Sequence, residues 1–506
     1  MMPAGRDRGR DWPCRECATL RLAGTPAKRM GARTVPGARM SIAVNSLRNI
    51  AVRSLTVVFL LLISVLTARL LGPEGSGVYA LVTLYSAIGV ALLGGTGAAA
   101  GRWISHLRRP VPEVVANVAA LALLTGTGAL ALALLVYGLA HLFTGRPPLW
   151  LVYVGAAQPA LLVAQALTWA FLGADDHHNY SYAIVAPSLL TLLCMAPVLL
   201  LVRGSVAAAM LAWLVAQYAV IGWLWWRGRA VWTPLPLGAV TLASMGTLVS
   251  FSAVSGLANL VSYLNYRVDM LMVERFLGTA QVGIYSKAVQ LVEGLWFISQ
   301  AVGVAIWSRV GAAPRAEAAR LVARSVRTTL ALMTLAGVAL LALSGLLIPL
   351  LFGGAFRGAV APFRLFIPGA VAWGLANLFA AYYTNQLGRP RVPLVIAAVS
   401  LTVTAVTGVT LIPALGLAGG ALATTLGYTA GIAMALRRFH RDTGVPWREL
   451  LLPGRHDLRE SVATAEHVLA WLLRRSPPPA AVEPEPAEEP LFRRVPPADR
   501  PAGERG

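Results

Sequence analysis

Residues 265–275 carry Asn265, Arg267, Asp269, Glu274 and Arg275 inside a stretch that is otherwise apolar. An unpaired charge in such surroundings costs on the order of several kcal/mol, so these side chains must face a cavity or one another. Asn265 and Asp269 are four apart and share one helical face, while Arg267 and Glu274, seven apart, share another. Two chemistries fit: Arg267 holds an anionic group and Asp269 a cation, or the set closes on itself as an internal salt bridge. The next apolar run adds Lys287, Gln290, Glu293, Trp296 and Gln300. Glu293, Trp296 and Gln300 follow one stripe at i, i+3 and i+7. A carboxylate beside a ring and an amide suits a carbohydrate, whose hydroxyls need acceptors and whose ring faces stack on apolar surface; the alternative is a polar seam between helices. Asn377 and Arg53 complete the candidate set, with Gln158, Gln165, Trp169, Tyr382 and Asn385 as weaker members. Arg53, with Arg102 and His106, is placed to attract phosphate, although basic flanks also anchor apolar spans.

Other chemistry finds less support. No catalytic set and no metal site is expected: "DDHHN" (175–179) reads as loop polarity, and the lone C-x-x-C of Cys14 and Cys17 has no second ligand pair. The third cysteine, Cys194, leaves no disulfide framework. A G-x-x-x-x-G-K-[ST] loop is absent, which argues against ATP drive by this chain. No cofactor is expected.

The elements that must position these residues are membrane spans. The chain has 506 residues, 57% hydrophobic and 13% charged, with mean hydropathy +0.65. A soluble domain carries roughly a quarter charged residues. Runs near the roughly 20 residues that cross a hydrocarbon core fall at 49–71, 77–100, 113–140, 149–172, 181–202, 206–226, 250–276, 283–306, 326–352, 364–387, 392–413 and 417–436. The net charge of +21 belongs beside these spans and does not call for a nucleic-acid partner. Arg102, Arg108, Arg109, Arg227, Arg229, Arg309, Arg315, Arg320, Arg324, Arg327, Arg389 and Arg391 fall on one side, against Arg69, Arg146, Arg203, Arg275, Arg357 and Arg364 opposite. The richer side, shared with both termini, is expected to be cytoplasmic in a multi-pass cell (inner or plasma) membrane protein.

An internal repeat at an offset of 206 aligns "ARLLGPEGSGVYALVTLY" (68–85) with "ERFLGTAQVGIYSKAVQL" (274–291). Arg69 meets Arg275, Gly72 meets Gly278, Gly77 meets Gly283 and Tyr79 meets Tyr285, a set read as structural turn chemistry. "LGPEG", "RGS", "LGTAQ" and "ALG" read as tight turns. The expected organisation is a basic tail at 1–42, an N-lobe at 43–230, a C-lobe at 231–440, a cytoplasmic segment with an amphipathic helix at 441–475, and a disordered proline-rich tail at 476–506. Met40 is an alternative start. The fold class is therefore an all-α polytopic membrane protein of about twelve spans in two pseudo-symmetric six-helix lobes, in parallel orientation with a path between them.

"ARLLGPEGSGVYAL", "YLNYRVDMLMVERFLGTAQVGIYSKAVQL", "LLIPLLFGGAFRGAVAPFRLFIPG" (346–369) and "LGRPRVPL" with "LIPALGLAGGALAT" resemble the multidrug/oligosaccharidyl-lipid/polysaccharide exporter superfamily, and within it the bacterial polysaccharide-biosynthesis flippases, over roughly residues 40–440. The resemblance implies two six-helix bundles in a V, open alternately to each side. It implies as cargo a polyprenyl pyrophosphate bearing a short sugar chain; the reading of the residues then puts Arg267 at the pyrophosphate, or Asp269 at a coupling cation (H⁺ or Na⁺). Membrane lipids and other polysaccharide-assembly proteins are the expected partners. The alternatives are a cation-coupled multidrug exporter of the same superfamily and, in a different class, a membrane-embedded polysaccharide polymerase or glycosyltransferase. The last would need a long outer loop carrying catalytic acids and bases, and no outer connection is long enough.

Overall fold

A computed structural model describes residues 42–144, 149–202 and 204–451, apart from the side chains of 42–51, 53, 144, 237, 242 and 308. The basic segment 1–39, the start at Met40, the helix expected at 457–475 and the tail 476–506 lie outside the described residues. Two compact units make up the chain, Met1–Leu47 and Arg48–Gly506. The first holds the opening residues of α1, and everything below concerns the second.

Among the described residues all regular structure is helical: α1 (Ile42–Leu93), α2 (Gly95–Ser105), α3 (Val111–Thr144), α4 (Trp150–Gly173), α5 (His177–Leu201), α6 (Val206–Trp232), α7 (Leu242–Leu277), α8 (Thr279–Glu293), α9 (Trp296–Ala312), α10 (Arg315–Phe352), α11 (Val360–Trp373), α12 (Ala376–Ala380), α13 (Arg391–Leu415), α14 (Leu417–Thr443) and α15 (Trp447–Leu451). Eleven helical runs are long and apolar enough to cross a membrane. The first of them, Ser54–Leu93, changes direction at Gly72 and so supplies two passes, which brings the passes to twelve.

The turns expected around glycine are present. Gly72 (φ 68°, ψ −172°) and its repeat mate Gly278 (φ 86°, ψ 173°) share a backbone conformation closed to residues with a Cβ. Gly204 and Gly416 take positive φ in "RGS" and "ALG". The two repeat segments also touch each other. A Cβ on Gly77 would strike the carbonyl of Thr279, and a Cβ on Gly283 would strike the carbonyl of Pro73. The 206 offset carries Gly77 to Gly283 and Pro73 to Thr279, so the two contacts are one contact seen twice across a pseudo-twofold axis.

The expected spans are corrected in two respects. α7 opens at Leu242 and α10 at Arg315, ahead of the expected 250 and 326; the Thr241 side chain caps the first through Ser244 N, and the good helix formers of "RAEAARLVAR" carry the second past its apolar run. Three spans are broken where continuous helices were expected, at Gly94, at Gly294–Leu295 and at Gly374–Leu375, with a π-helical turn following at Ala381–Gln386. Glycine weakens a helix interior, and the breaks at Gly294–Leu295 and Gly374–Leu375 are flanked by cavity-lining residues, Glu293 and Trp296 at the first and Trp373 and Ala376 at the second.

Apolar packing follows the two halves. Leu121, Leu167, Phe171, Leu224 and Trp232 form one buried cluster and Ile63, Val82, Met210 and Trp213 another. A third, larger cluster is drawn from the second half, including Val273, Phe352, Phe363 and Phe379, and takes in Ala68, Leu81 and Leu84 of α1. The first two passes thus share the core of the second half.

Candidate functional site

α7 runs through the second half with Tyr263, Tyr266 and Arg267 along the face turned to α8 and α9. α8 stops at Glu293, and the turn at Gly294–Leu295 re-aims the chain into α9. Here Arg267 meets Glu293 through two parallel hydrogen bonds, Nη1 to Oε1 at 2.5 Å and Nη2 to Oε2 at 3.1 Å. Paired forks of this kind are among the stronger polar contacts. Both side chains keep about a quarter of their surface, 24% and 23%, open to the cavities beside them.

A cavity of about 820 Å³ is lined by Tyr263, Tyr266, Arg267, Glu293, Trp296, Gln300, Trp307 and Asn377. The stripe of Glu293, Trp296 and Gln300 therefore meets one chamber, though the helix expected to carry it is interrupted between the first two. Trp296 donates its Nε1–H to Ala370 O at 3.0 Å and packs edge-on to Tyr266. Asn377 and Tyr266 are shared with a second cavity of about 430 Å³, which also takes Asn259, Ser262, Asn265 and Arg391. Both ends of the Asn265 amide are buried without a partner. A third cavity, about 370 Å³, lies between the halves, with Ser64, Tyr79 and Thr83 on one side and Arg267, Lys287, Gln290 and Glu293 on the other. The Arg267–Glu293 pair borders both the first and the third.

Lys287 is 3% exposed and has no carboxylate partner among the described residues. It donates to Ser64 Oγ at 3.1 Å and Thr67 Oγ1 at 3.3 Å, and lies 5.8 Å from the centre of the Phe352 ring. Gln290 donates to Leu60 O at 3.3 Å. Both tie the second half to α1. Hydroxyls solvate an ammonium less well than a carboxylate would, so Lys287 is a buried basic group with no acid hydrogen-bonded to it among the described residues.

Several residues fall elsewhere than expected. Asp269 lines none of these three cavities. It is 1% exposed and accepts from Tyr285 OH at 2.7 Å, Met270 N at 2.8 Å and Thr424 Oγ1 at 3.0 Å. Glu274 does not pair with Arg267: it accepts from Tyr85 OH at 2.6 Å, because Glu293 reaches the guanidinium from the next helix. Arg69 donates to Leu351 O at 2.9 Å and to Leu350 O, closing off carbonyls at the end of α10, while Arg275 is exposed. Gln158, Gln165 and Trp169 form a seam: they press on α1 and α2 where a Cβ on Gly89, Gly94 or Gly97 would overlap them. Asn385 donates to Trp307 O at 2.6 Å. Asp176 caps α5 through Asn179 N, and Asn179 in turn accepts from Arg227, so "DDHHN" is capping chemistry. The side chain of Arg53 lies outside the described residues.

Sequence reasoning passed over Tyr263, Tyr266 and Trp307 on the cavity wall, and Ser64 and Thr67 opposite Lys287. One signal was there to be read. The 206 offset carries Arg267 to Leu61, Asp269 to Ile63, Lys287 to Leu81, Gln290 to Leu84 and Glu293 to Ala87. The repeats keep the turns and differ in charge, so these five polar positions of the second half have apolar mates in the first.

The sequence profile of the polysaccharide biosynthesis protein family matches residues 42–305. No curated protein matches the chain in sequence. Among solved structures, the lipid II flippase MurJ in an inward closed conformation is 13% identical with a TM-score of 0.63, covering 86% of this chain and 94% of that one. A multidrug resistance MATE family transporter of the MOP superfamily, inward-facing, is 14% identical with a TM-score of 0.59, covering 79% and 98%. A MOP superfamily transporter from Pyrococcus furiosus, described by the reverse polarity of its binding pocket, is 14% identical with a TM-score of 0.56, covering 79% and 95%. The fold is that of the MOP superfamily transporters.

Proposed function

The chain belongs to the polysaccharide biosynthesis protein family, and from that premise we propose that it is a flippase, carrying a polyprenyl-pyrophosphate-linked oligosaccharide from the cytoplasmic to the outer leaflet by alternating access. One observation carries the reading: the Arg267–Glu293 pair borders both an aromatic chamber and the space between the halves where Lys287 stands without a carboxylate. In this reading the pyrophosphate is drawn to Lys287 and Arg267, which lower the cost of taking its charge out of water. The sugars lie against Tyr266, Trp296 and Trp307, with Gln300 and Asn377 as hydrogen-bonding groups. The isoprenoid stays in lipid, and both termini face the cytoplasm.

Deleting the gene is expected to leave a lipid-linked oligosaccharide on the cytoplasmic leaflet and to stop surface polysaccharide. A wild-type copy restores export, whereas Arg267→Ala and Lys287→Ala copies, inserted at normal levels, restore less than about a tenth of it. Normal export from both variants would remove the assigned phosphate contacts.

A second reading, a cation-coupled multidrug exporter of the same superfamily, has one observation in its favour: Glu293 among Tyr263, Tyr266, Trp296 and Trp307 suits an organic cation. Arg267 neutralises that carboxylate, which favours the anionic cargo. Efflux of cationic dyes that survives Arg267→Ala but not Glu293→Gln would reverse the order.

A further inference from the structure

Among the described residues, Glu293 is the one carboxylate on the walls of the large cavity and of the cavity between the halves. Both of its oxygens are taken by Arg267, one on each Nη. A phosphate engages a guanidinium through the same two parallel bonds, and the Nη1–Nη2 end of Arg267 serves one such partner at a time. Glu293 therefore holds the place that a phosphate entering beside Lys287 would take. No other acid of this region is free to replace it: Asp269 is enclosed by Tyr285 and Thr424, and Glu274 is bonded to Tyr85. Once displaced, the carboxylate is left in an aromatic chamber without its cation, and a partly buried charge that loses its partner costs more than the intact pair did. On the chamber side it heads the stripe that continues through Trp296 and Gln300. Sugar hydroxyls lying there donate to a carboxylate; a bare isoprenoid pyrophosphate has no such donors to offer. Glu293 is also the last residue of α8, and the chain turns at Gly294–Leu295 directly after it, so its side chain can be re-aimed without breaking a continuous helix.

We propose that Glu293 selects sugar-bearing cargo: it occupies Arg267 in the empty protein, yields it to the pyrophosphate, and finds new donors only in the sugars of a loaded carrier. This rests on the flippase reading above and adds to it a penalty against the bare carrier. A site whose polar group must pair with a substrate hydroxyl rejects the analogue lacking that hydroxyl, because the group is then left unpaired. Arg267 and Lys287 alone would hold the two lipids equally, since both carry the same pyrophosphate. Glu293 is what separates them.

Dissociation constants for two lipids, measured on the full chain in phosphatidylcholine nanodiscs, test this. One is geranylgeranyl pyrophosphate, which has no sugar; the other is the lipid-linked oligosaccharide that accumulates in cells lacking the gene. The wild type should bind the second at least about tenfold more tightly. Glu293→Gln is expected to tighten binding of the bare lipid about tenfold and to change that of the glycosylated one by less than about threefold, so that most of the preference disappears. Glu293→Asp, which keeps the charge but reaches less far toward Arg267, should move the ratio the same way by a few-fold, and it carries the test if the Gln variant does not fold. Loss of a merely structural pair, or of a negative charge that repels any phosphate, shifts both lipids together. An unchanged ratio therefore overturns the selecting role and leaves the flippase reading standing. If no such lipid accumulates, or the wild type binds neither, the flippase reading falls and takes this inference with it.

Discussion

At the residue scale, the proposed function asks different things of Lys287 and Arg267. Arg267 has an acid partner and loses packing and charge balance together if that partner is removed. Lys287 has only two hydroxyls and a ring, and burial of so poorly paired an ammonium costs stability that a hydrophobic side chain would return. Lys287→Met is therefore expected to leave thermal stability unchanged or raise it by a few degrees while export falls at least tenfold. A variant that melts earlier yet still exports would make Lys287 a structural residue. The sequence pointed to both cations, since charge within an apolar span is conspicuous. It left the partner of Arg267 open, because Glu274 satisfies helical spacing and Glu293 lies on another helix; only the third dimension separates them. Asp269 misled for a related reason: spacing gives the face a residue shares, not whether that face meets a cavity or the hydroxyls of Tyr285 and Thr424.

At the element scale, the turns were legible and the breaks were not. Gly72, Gly204, Gly278 and Gly416 flank tight connections between apolar runs, where positive φ selects glycine. Gly294 and Gly374 are single glycines within apolar runs, a position helices tolerate, and nothing local told them from the rest; Gly94 has Gly95 and Gly97 beside it, a breaker signal that the span reading passed over. Two kinds of glycine in the repeat should separate experimentally. Gly72 and Gly278 have open space where a Cβ would go, so Ala there is opposed by backbone conformation alone, at about 1–2 kcal/mol. Gly77 and Gly283 are opposed by a carbonyl from the other repeat, so Ala there pushes the halves apart. With Ser64→Cys as the only reactive thiol, Gly283→Ala is expected to speed its labelling by about tenfold, whereas Gly278→Ala lowers the melting temperature without that acceleration. Equal labelling in the two would mean that the repeat contact does not close this end.

At the scale of the whole molecule, the pseudo-twofold contact is symmetric but the bonds around it are not. Arg69 to Leu351, Lys287 to Ser64 and Thr67, Tyr85 to Glu274 and Gln290 to Leu60 all join α1 to the second half. At about 1 kcal/mol for a typical hydrogen bond, and more where one partner is charged, they favour this closed arrangement by roughly 5 kcal/mol, a bias of several thousandfold. A transporter that alternates cannot remain so biased when loaded. Under the proposed function, an anionic group that draws Lys287 away from Ser64 and Thr67 would remove the part of the bias that depends on that residue and so link cargo to opening through a contact already present. The bias should also yield to mutation without cargo. Spin labels at Glu74 and Ala280, exposed repeat mates on the two sides of the axis, report the separation of the two turns. Tyr85→Phe together with Ser64→Ala and Thr67→Ala removes three donor–acceptor contacts, leaves the glycine contact intact, and is expected to move a measurable fraction of molecules to a longer distance. The wild type should reach the same longer distance when a polyprenyl pyrophosphate is added. If the triple variant keeps the single short distance, the polar bonds do not hold the closed state, and the closure rests on the glycine packing of the repeats alone.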